Sequence, residues 1–202
     1  MEQRTEEWFA ARLGKVTASR VADVIAKTKS GYSTSRANYM AELVCERLTG
    51  KKGDSYSNAA MVWGTNTEPM ARAAYEARTG DLVEEVGFVS HATIKDAGCS
   101  PDGFVGDDAL IEIKCPMTNQ HIDTLLANEA PAKYIPQMQW QMACTGRKWC
   151  DYVSFDPRLP ENMQLFIKRV MRDQNMIVEM EREVEKFLFE LDQKIIRLKA
   201  QY

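Results

Sequence analysis

The seventeen residues Cys99-Ser-Pro-Asp-Gly-Phe-Val-Gly-Asp-Asp-Ala-Leu-Ile-Glu-Ile-Lys-Cys115 carry the reading of the fold. Gly106–Asp107–Asp108 is a turn between two apolar runs, so Cys99–Val105 and Ala109–Cys115 are predicted as strands of a hairpin. Strand side chains alternate between faces, which sets Glu112 and Lys114 on one face and turns Ile113 to the core. As hairpin partners, the two strands bring Asp102 to the same point. An Asp and a Glu there offer hard oxygen ligands for Mg²⁺, and the Ile113 carbonyl at that strand edge is a further candidate. Lys114 is placed to orient or deprotonate an attacking water, or to neutralise charge on a phosphorane-like transition state. That combination is the chemistry of phosphodiester hydrolysis. A charged hairpin with a surface Glu–Lys pair uses the same residues, and spacing alone leaves both readings open. Pro101 stiffens the approach and Gly103 permits close backbone contact, which favours a site.

Outward from this hairpin, the N-terminal part reads as helical. Thr5 suits the cap of a helix over residues 5–13, with Glu6 and Glu7 in its first turn. A second helix opens at Thr17 or Ser19 and runs to Ala26, and Lys27–Ser35 reads as a polar loop. Ser35 caps a third helix to Leu48, ended by Thr49–Gly50. A long helical pattern from Asn58 to Arg78 stops at Gly80. It either begins near Thr67 with Pro69 in its first turn or is kinked there. Leu82–Val86 and Gly87–Ser90 are short β-type runs. Asn119–Ala127 and Lys133–Cys144 look helical, and Trp149–Phe155 and Met163–Val170 alternate as strands around Asp156–Pro157. Apolar residues at Ile177, Met180, Val184, Phe187, Leu191 and Leu198 step by threes and fours along a last helix, Arg172–Ala200. Helices, sheet, helices is the order of an α/β (α+β) single domain with a central mixed sheet. Its parts are a basic helical segment 1–80, a sheet core 81–170 and a C-terminal long helix 171–202.

The whole chain of 202 residues has a net charge of −3, which by itself argues against a polyanionic partner. The distribution says otherwise: residues 1–53 carry a net +4, residues 54–170 a net −6 and residues 171–202 a net −1. Between positions 12 and 36 there are six basic residues (Arg12, Lys15, Arg20, Lys27, Lys29 and Arg36) and one acid, Asp23. Five cysteines with no CxxC pair, and no apolar signal region at the start, read as reduced thiols in a cytoplasmic protein. No apolar run approaches a membrane span of about 18 residues. Two histidines, His91 and His121, leave no cluster for histidine chemistry, and His121 is expected at the surface.

Pro101–Asp102 followed by Glu112-x-Lys114 resembles the PD-(D/E)XK nuclease motif. Further blocks follow in order: Trp8 with Arg12–Leu13–Gly14; Thr17–Ala18–Ser19; Trp63–Gly64 with Glu68; Glu112–Ile113–Lys114–Cys115–Pro116; Tyr134 with Gln137 and Gln139; and Asp156–Pro157–Arg158. Together they resemble the lambda-type viral alkaline exonucleases, the YqaJ-like recombinase nucleases, over residues 8 to 158. The resemblance implies a Mg²⁺-dependent exonuclease, with Mn²⁺ able to substitute. It would digest one strand of duplex DNA from a phosphorylated 5′ end to mononucleotides, leaving a 3′ tail.

Carried over by position, Asp102 and Glu112 are metal ligands, Lys114 is the catalytic lysine and Glu68 helps hold a metal or its water. Arg12, Ser19, Ser100 and Gln137 form a pocket for the terminal phosphate, suited by an Arg donor fork and neutral hydroxyl and amide donors. Met61 corresponds to an apolar wedge between the last base pairs, although a buried core methionine fits the sequence as well. Lys29 corresponds to a basic residue near the DNA backbone. Trp140 and Trp149 are read as core, and Cys115 is no ligand, because Mg²⁺ prefers oxygen to thiolate. A ring-shaped homotrimer and a single-strand-annealing protein are the partners the resemblance implies. If Lys114 acts as a neutral base, activity rises toward alkaline pH. An endonuclease or junction resolvase, or an inactive DNA-end-binding subunit, would share the same metal core.

Overall fold

Alternation along Ala109–Lys114 puts Leu110 and Glu112 on one face and Ile111 and Ile113 on the other, all four buried, and the domain is built on both faces of that strand. A computed structural model describes residues 2–53 and 59–202. The N-terminal part comprises α1 (Glu6–Arg12), β1 (Val16–Thr17), a 3₁₀ turn (Ala18–Arg20), α2 (Val21–Ile25), β2 (Lys27–Thr28), β3 (Gly31–Tyr32), α3 (Thr34–Thr49) and α4 (Ala59–Thr79). The sheet region follows with β4 (Val83–Glu84), β5 (Val89–Ser90), β6 (Ala97–Cys99), β7 (Gly103–Val105), β8 (Ala109–Lys114) and α5 (Thr118–Ala127). A 3₁₀ turn (Ala132–Tyr134) leads into α6 (Ile135–Thr145), β9 (Trp149–Phe155), β10 (Leu165–Met171) and α7 (Gln174–Gln201).

The main sheet has the order β10-β9-β8-β7-β4, with β8 and β9 parallel and the other pairs antiparallel. Its Ile111 and Ile113 face packs on Ala71 and Tyr75 of α4. Its Leu110, Cys150 and Tyr152 face packs on a core shared by α2, α3, α6 and α7. This is a mixed α/β single domain with a central sheet flanked by helices, as the sequence pattern requires. The apolar stripe of α7 is buried within the chain at Ile177, Met180, Val184, Phe187 and Leu191. No helix among the described residues is long and apolar enough to cross a membrane.

Several sequence expectations are corrected. The run Cys99–Val105 is not one strand: β6 pairs with β1 and β5 in a separate three-stranded sheet, whereas β7 belongs to the main sheet. Pro101 has no N–H for a ladder, so the chain crosses from one sheet to the other over Ser100–Pro101–Asp102. Gly103 allows a close landing, because a Cβ there would lie 2.2 Å from Val83 Cγ1 and 3.1 Å from the Glu84 carbonyl oxygen and would force a shift. The polar loop 27–35 contains the hairpin β2–β3, tied to α7 by Lys27 and Tyr32 on Glu183 at 2.6 Å each. Helix α4 continues through Pro69 and does not begin at Thr67; Asn58 lies outside the described residues. His121 is buried, with Nδ1 2.7 Å from Ser154 Oγ and Nε2 2.9 Å from the Met163 carbonyl. The alternating periodicity of β9 gave no hint that Ser154 supplies its partner.

Asp156, fully buried after β9, is a strut between elements around the sheet end. Its carboxylate accepts from Thr118 at the start of α5 at 2.7 Å and from Arg158 Nε at 2.7 Å, and the Arg158 guanidinium lies 4.3 Å over Trp63 of α4. Burial alone would raise its pKa, but the Arg158 and Thr118 hydrogen bonds hold it at about 2. A depressed native pKa stabilises the fold fully above the unfolded value of about 3.9 and is lost as pH falls through the native one. Asp156→Asn is therefore expected to cost about 2 kcal/mol at pH 7, with the gap to wild type closing between pH 4 and 2. Urea midpoints at both pH values measure this, and a gap unchanged at pH 2.5 would assign the loss to packing.

Candidate active site and phosphate pocket

The crossing between the sheets fixes two neighbouring chemistries two residues apart. Ser100 leaves β6 toward α1, where its Oγ accepts from Trp8 Nε1 and Arg12 Nη1, each at 2.9 Å. Asp102 reaches β8, where its Oδ2 accepts the Ile113 backbone N–H at 2.6 Å. Burial first and Glu112 second raise the Asp102 pKa well above the usual carboxylate range, with Lys114 and the Ile113 N–H opposing.

Glu112 is 1% exposed and accepts from three side-chain donors. Gln137 Nε2 reaches Oε1 and Gln141 Nε2 reaches Oε2, each at 2.6 Å, and Lys114 Nζ also donates to Oε1. The two glutamines are one turn apart on α6 and so share the face that meets the sheet. Three donors leave about one of a carboxylate's roughly four acceptor directions for a further ligand. Burial would lower the Lys114 pKa, but Glu112 and Asp102 outweigh it and hold the lysine cationic.

The cleft is a cavity of about 560 Å³ whose lining includes Asp102, Ile113, Lys114, Glu68, Trp63 and Tyr134. Helix α4 delivers Glu68: Thr67, Ala71 and Tyr75 form its buried face, and Tyr75 Oη donates to Asp151 of β9 at 2.9 Å. Glu68 is held by Arg4 at 2.7 Å and by Arg72 at 3.1 Å. Cys115 adjoins the cleft, and burial, with Glu68 and Asp102 adding to it, pushes its thiol up to about 12.

A second cavity of about 320 Å³ lies against α1 and includes Arg12, Lys15, Ser19, Arg20 and Tyr39 in its lining. Arg20 is neutralised by Asp23 at 2.7 Å and Glu42 at 2.8 Å. Arg12 sits 4.1 Å over the Trp8 ring, and burial lowers its pKa without threatening its charge. Met61 is 55% exposed and lines both cavities, so it is not a core methionine.

Of the residues singled out in the sequence, Asp102, Ile113, Lys114 and Glu68 line one cavity, with the buried Glu112 bonded to Lys114, and Arg12 lines the other and bonds to Ser100. Ser19 lines the α1 cavity but bonds to Thr17, at 3.4 Å. Gln137 goes to Glu112 and not to Ser100. Lys29 is at the exposed tip of the β2–β3 hairpin and lines neither cavity. Trp140 is core as expected, and Trp149 is half-buried beneath Arg169. Trp8, Gln141, Arg4 and Arg72 were missed as site residues. For Gln141 a signal existed, its i, i+4 spacing from Gln137 on one helix face; for Arg4 none did.

A mixed sheet presenting two carboxylates and a lysine at one strand end, flanked by helices, defines a nuclease-like α/β fold. The chain belongs to the YqaJ-like viral recombinase domain family, which it matches over residues 7–148. It is similar to LHK-Exo, an alkaline exonuclease from Laribacter hongkongensis, at 57% identity and TM-score 0.91, covering 98% of this chain and 97% of that one. The same exonuclease in complex with dAMP matches at 58% identity and TM-score 0.92 with equal coverage. A phage-related exonuclease from Haemophilus somnus 129PT, 17% identical with TM-score 0.74 over 91% of this chain and 96% of that one, shares the fold. No curated protein matches the chain. These relationships support a nuclease role.

Proposed function

We propose that the protein is a Mg²⁺-dependent 5′→3′ exonuclease of the PD-(D/E)XK type. It digests one strand of linear duplex DNA to mononucleotides and leaves 3′ tails for single-strand annealing. The observation that carries this reading is the two-residue separation of Ser100 and Asp102 at the sheet crossing, with Met61 on the wall common to both cavities. A terminal phosphate on Arg12 and Ser100 then sets the distance from the chain end to the bond presented at Asp102. The 58% identical relative binds dAMP, a mononucleotide of the kind such digestion releases.

The donor set fits a hard divalent ion. Asp102 and Glu112 are neighbouring carboxylates, and Asp102 is held at a raised pKa partly by Glu112, so the pair is short of positive charge. Asp102, Glu112 and the Ile113 carbonyl would hold Mg²⁺ or Mn²⁺, with Glu68 positioned to hold it or its water. When bound, the ion supplies Lewis-acid charge for the attacking and leaving oxygens. Gln137 and Gln141 fix the Glu112 carboxylate. Lys114, kept cationic, donates to the water or to a phosphate oxygen as negative charge grows. Arg12 and Ser100 bind the terminal phosphate, and Met61 separates the strands. Lys29, at its exposed tip, is available to the DNA backbone. A homotrimeric ring around the duplex, an annealing protein on the 3′ tail and a cytoplasmic location complete the proposal.

The test is linear duplex with 5′-phosphate or 5′-hydroxyl ends beside covalently closed circles, with Mg²⁺ and with chelator. Mononucleotide release is expected from phosphorylated ends with Mg²⁺ alone. Cleavage of closed circles would establish an endonuclease instead, and binding of ends without any release an inactive subunit.

A further inference from the structure

Residues 2–5 form a strap beside the catalytic cleft. Gln3 Nε2 donates to the carbonyls of Val86 at 2.8 Å and Pro101 at 2.7 Å, the latter one residue from Asp102. Thr5 donates to the Glu2 carbonyl at 2.8 Å and caps α1 by accepting Trp8 N–H at 3.3 Å. Between these anchors Arg4 has φ +68°, a left-handed conformation that disfavours any residue with a Cβ. The strained backbone aims its guanidinium into the cleft, where Arg4 shares the wall with Asp102, Ile113 and Lys114 and donates to Glu68 Oε2 at 2.7 Å.

The two arginines on Glu68 are not equivalent. Arg72 is one turn along the same helix, its side chain 15% exposed and also bonded to Glu85. Arg4 is 50% exposed and comes from the strap. With Glu68 engaged this way, no three His, Cys, Asp or Glu side chains among the described residues converge to hold an ion. Glu68 lies near enough to Asp102 to raise its pKa, yet its carboxylate is taken up by arginine.

We propose that Arg4 is a resident competitor for the divalent cation. It holds Glu68 out of the carboxylate cluster, and it gives that carboxylate up when the ion loads. The inference rests on the reading above that Glu68 serves the metal. Arg72 donates to Glu68 Oε1 and Arg4 to Oε2, so an ion taking Oε2 meets the Arg4 guanidinium directly, and the two cations repel each other there. Half-exposed ion pairs contribute little, which makes Arg4 and not Arg72 the group to go. Its guanidinium then remains in the cleft, free to meet a phosphate oxygen. Coupling is reciprocal: whatever holds Arg4 on Glu68 in the ion-free protein is subtracted from the affinity for the ion.

The experiment is calorimetric titration of Mn²⁺ into the chelator-stripped full chain for wild type, Arg4→Gly, Glu68→Gln and the double variant. Glycine accepts φ +68° without strain, so Arg4→Gly is expected to fold, and thermal melts check it. Arg4→Gly is expected to bind Mn²⁺ about 2- to 5-fold more tightly. Glu68→Gln is expected to weaken binding, and in that background the Arg4 effect disappears. Unchanged or weaker binding by Arg4→Gly, with Glu68→Gln still weakening it, overturns the competitor role alone. An Arg4→Gly gain that persists without Glu68 also overturns it. Wild-type binding by Glu68→Gln removes the metal role of Glu68 itself.

Discussion

Asp102→Asn is expected to leave a folded protein that digests linear duplex DNA at least about 10³-fold more slowly than wild type, a loss of about 4 kcal/mol in transition-state stabilisation. Asparagine keeps the shape and an oxygen for the Ile113 N–H, which Asp102 Oδ2 now accepts at 2.6 Å. It removes the negative charge that the proposed metal site requires. The sign for stability is opposite to that for activity. A native carboxyl pKa raised by burial and by Glu112 means that ionising Asp102 costs stability once pH exceeds its ordinary value. The ion-free Asn variant should therefore melt at or above the wild-type temperature at pH 7 to 8. Mononucleotide release from 5′-phosphorylated duplex, measured beside thermal melts, checks both halves. Activity within ten-fold of wild type would remove Asp102 from the reacting centre, and a melting temperature well below wild type would show that its charge supports the fold.

The second large effect is expected at Arg12, where alanine should abolish discrimination between 5′-phosphate and 5′-hydroxyl ends. A hydrogen-bonded arginine–phosphate contact is worth about 1.5–3 kcal/mol, so about 10- to 100-fold in rate on phosphorylated ends should be lost. Hydroxyl ends should change little. Ser100 Oγ keeps its bond from Trp8 Nε1 at 2.9 Å, so the crossing that carries Asp102 stays anchored. Arg12→Lys should recover part of the preference, because it restores the charge without the planar fork. Initial rates on the two end types decide the matter: equal loss on both would mean that Arg12 acts by supporting the Trp8–Ser100 contact.

The legible parts of this chain were those governed by local periodicity. Period two along Ala109–Lys114 correctly put Glu112 beside Lys114 and Ile113 in the core, and period 3.6 correctly gave the buried stripe of α7. The Gly106–Asp107–Asp108 turn and the whole of Trp149–Phe155 were equally local. Periodicity could not see that Cys99–Val105 is shared between two sheets, since three apolar residues on either side of Ser-Pro-Asp look like one strand. It also could not see His121 buried against Ser154, because the partners lie 33 positions apart. Met61 was undecidable for the same reason: a methionine on a helix is core or rim according to what packs over it.

The sequence alone determined the residue types of the carboxylate–lysine cluster, the strand that carries them and the separation of basic and acidic segments, because each is a property of near neighbours in the chain. The tertiary structure decided how the cluster is wired. It assigned Gln137 and Gln141 to Glu112, Trp8 and Arg12 to Ser100, and Arg4 to Glu68. These bonds join positions 25 to 92 residues apart. Which of many possible donors reaches a given carboxylate depends on how helices pack on a sheet, and no local rule of spacing contains that information.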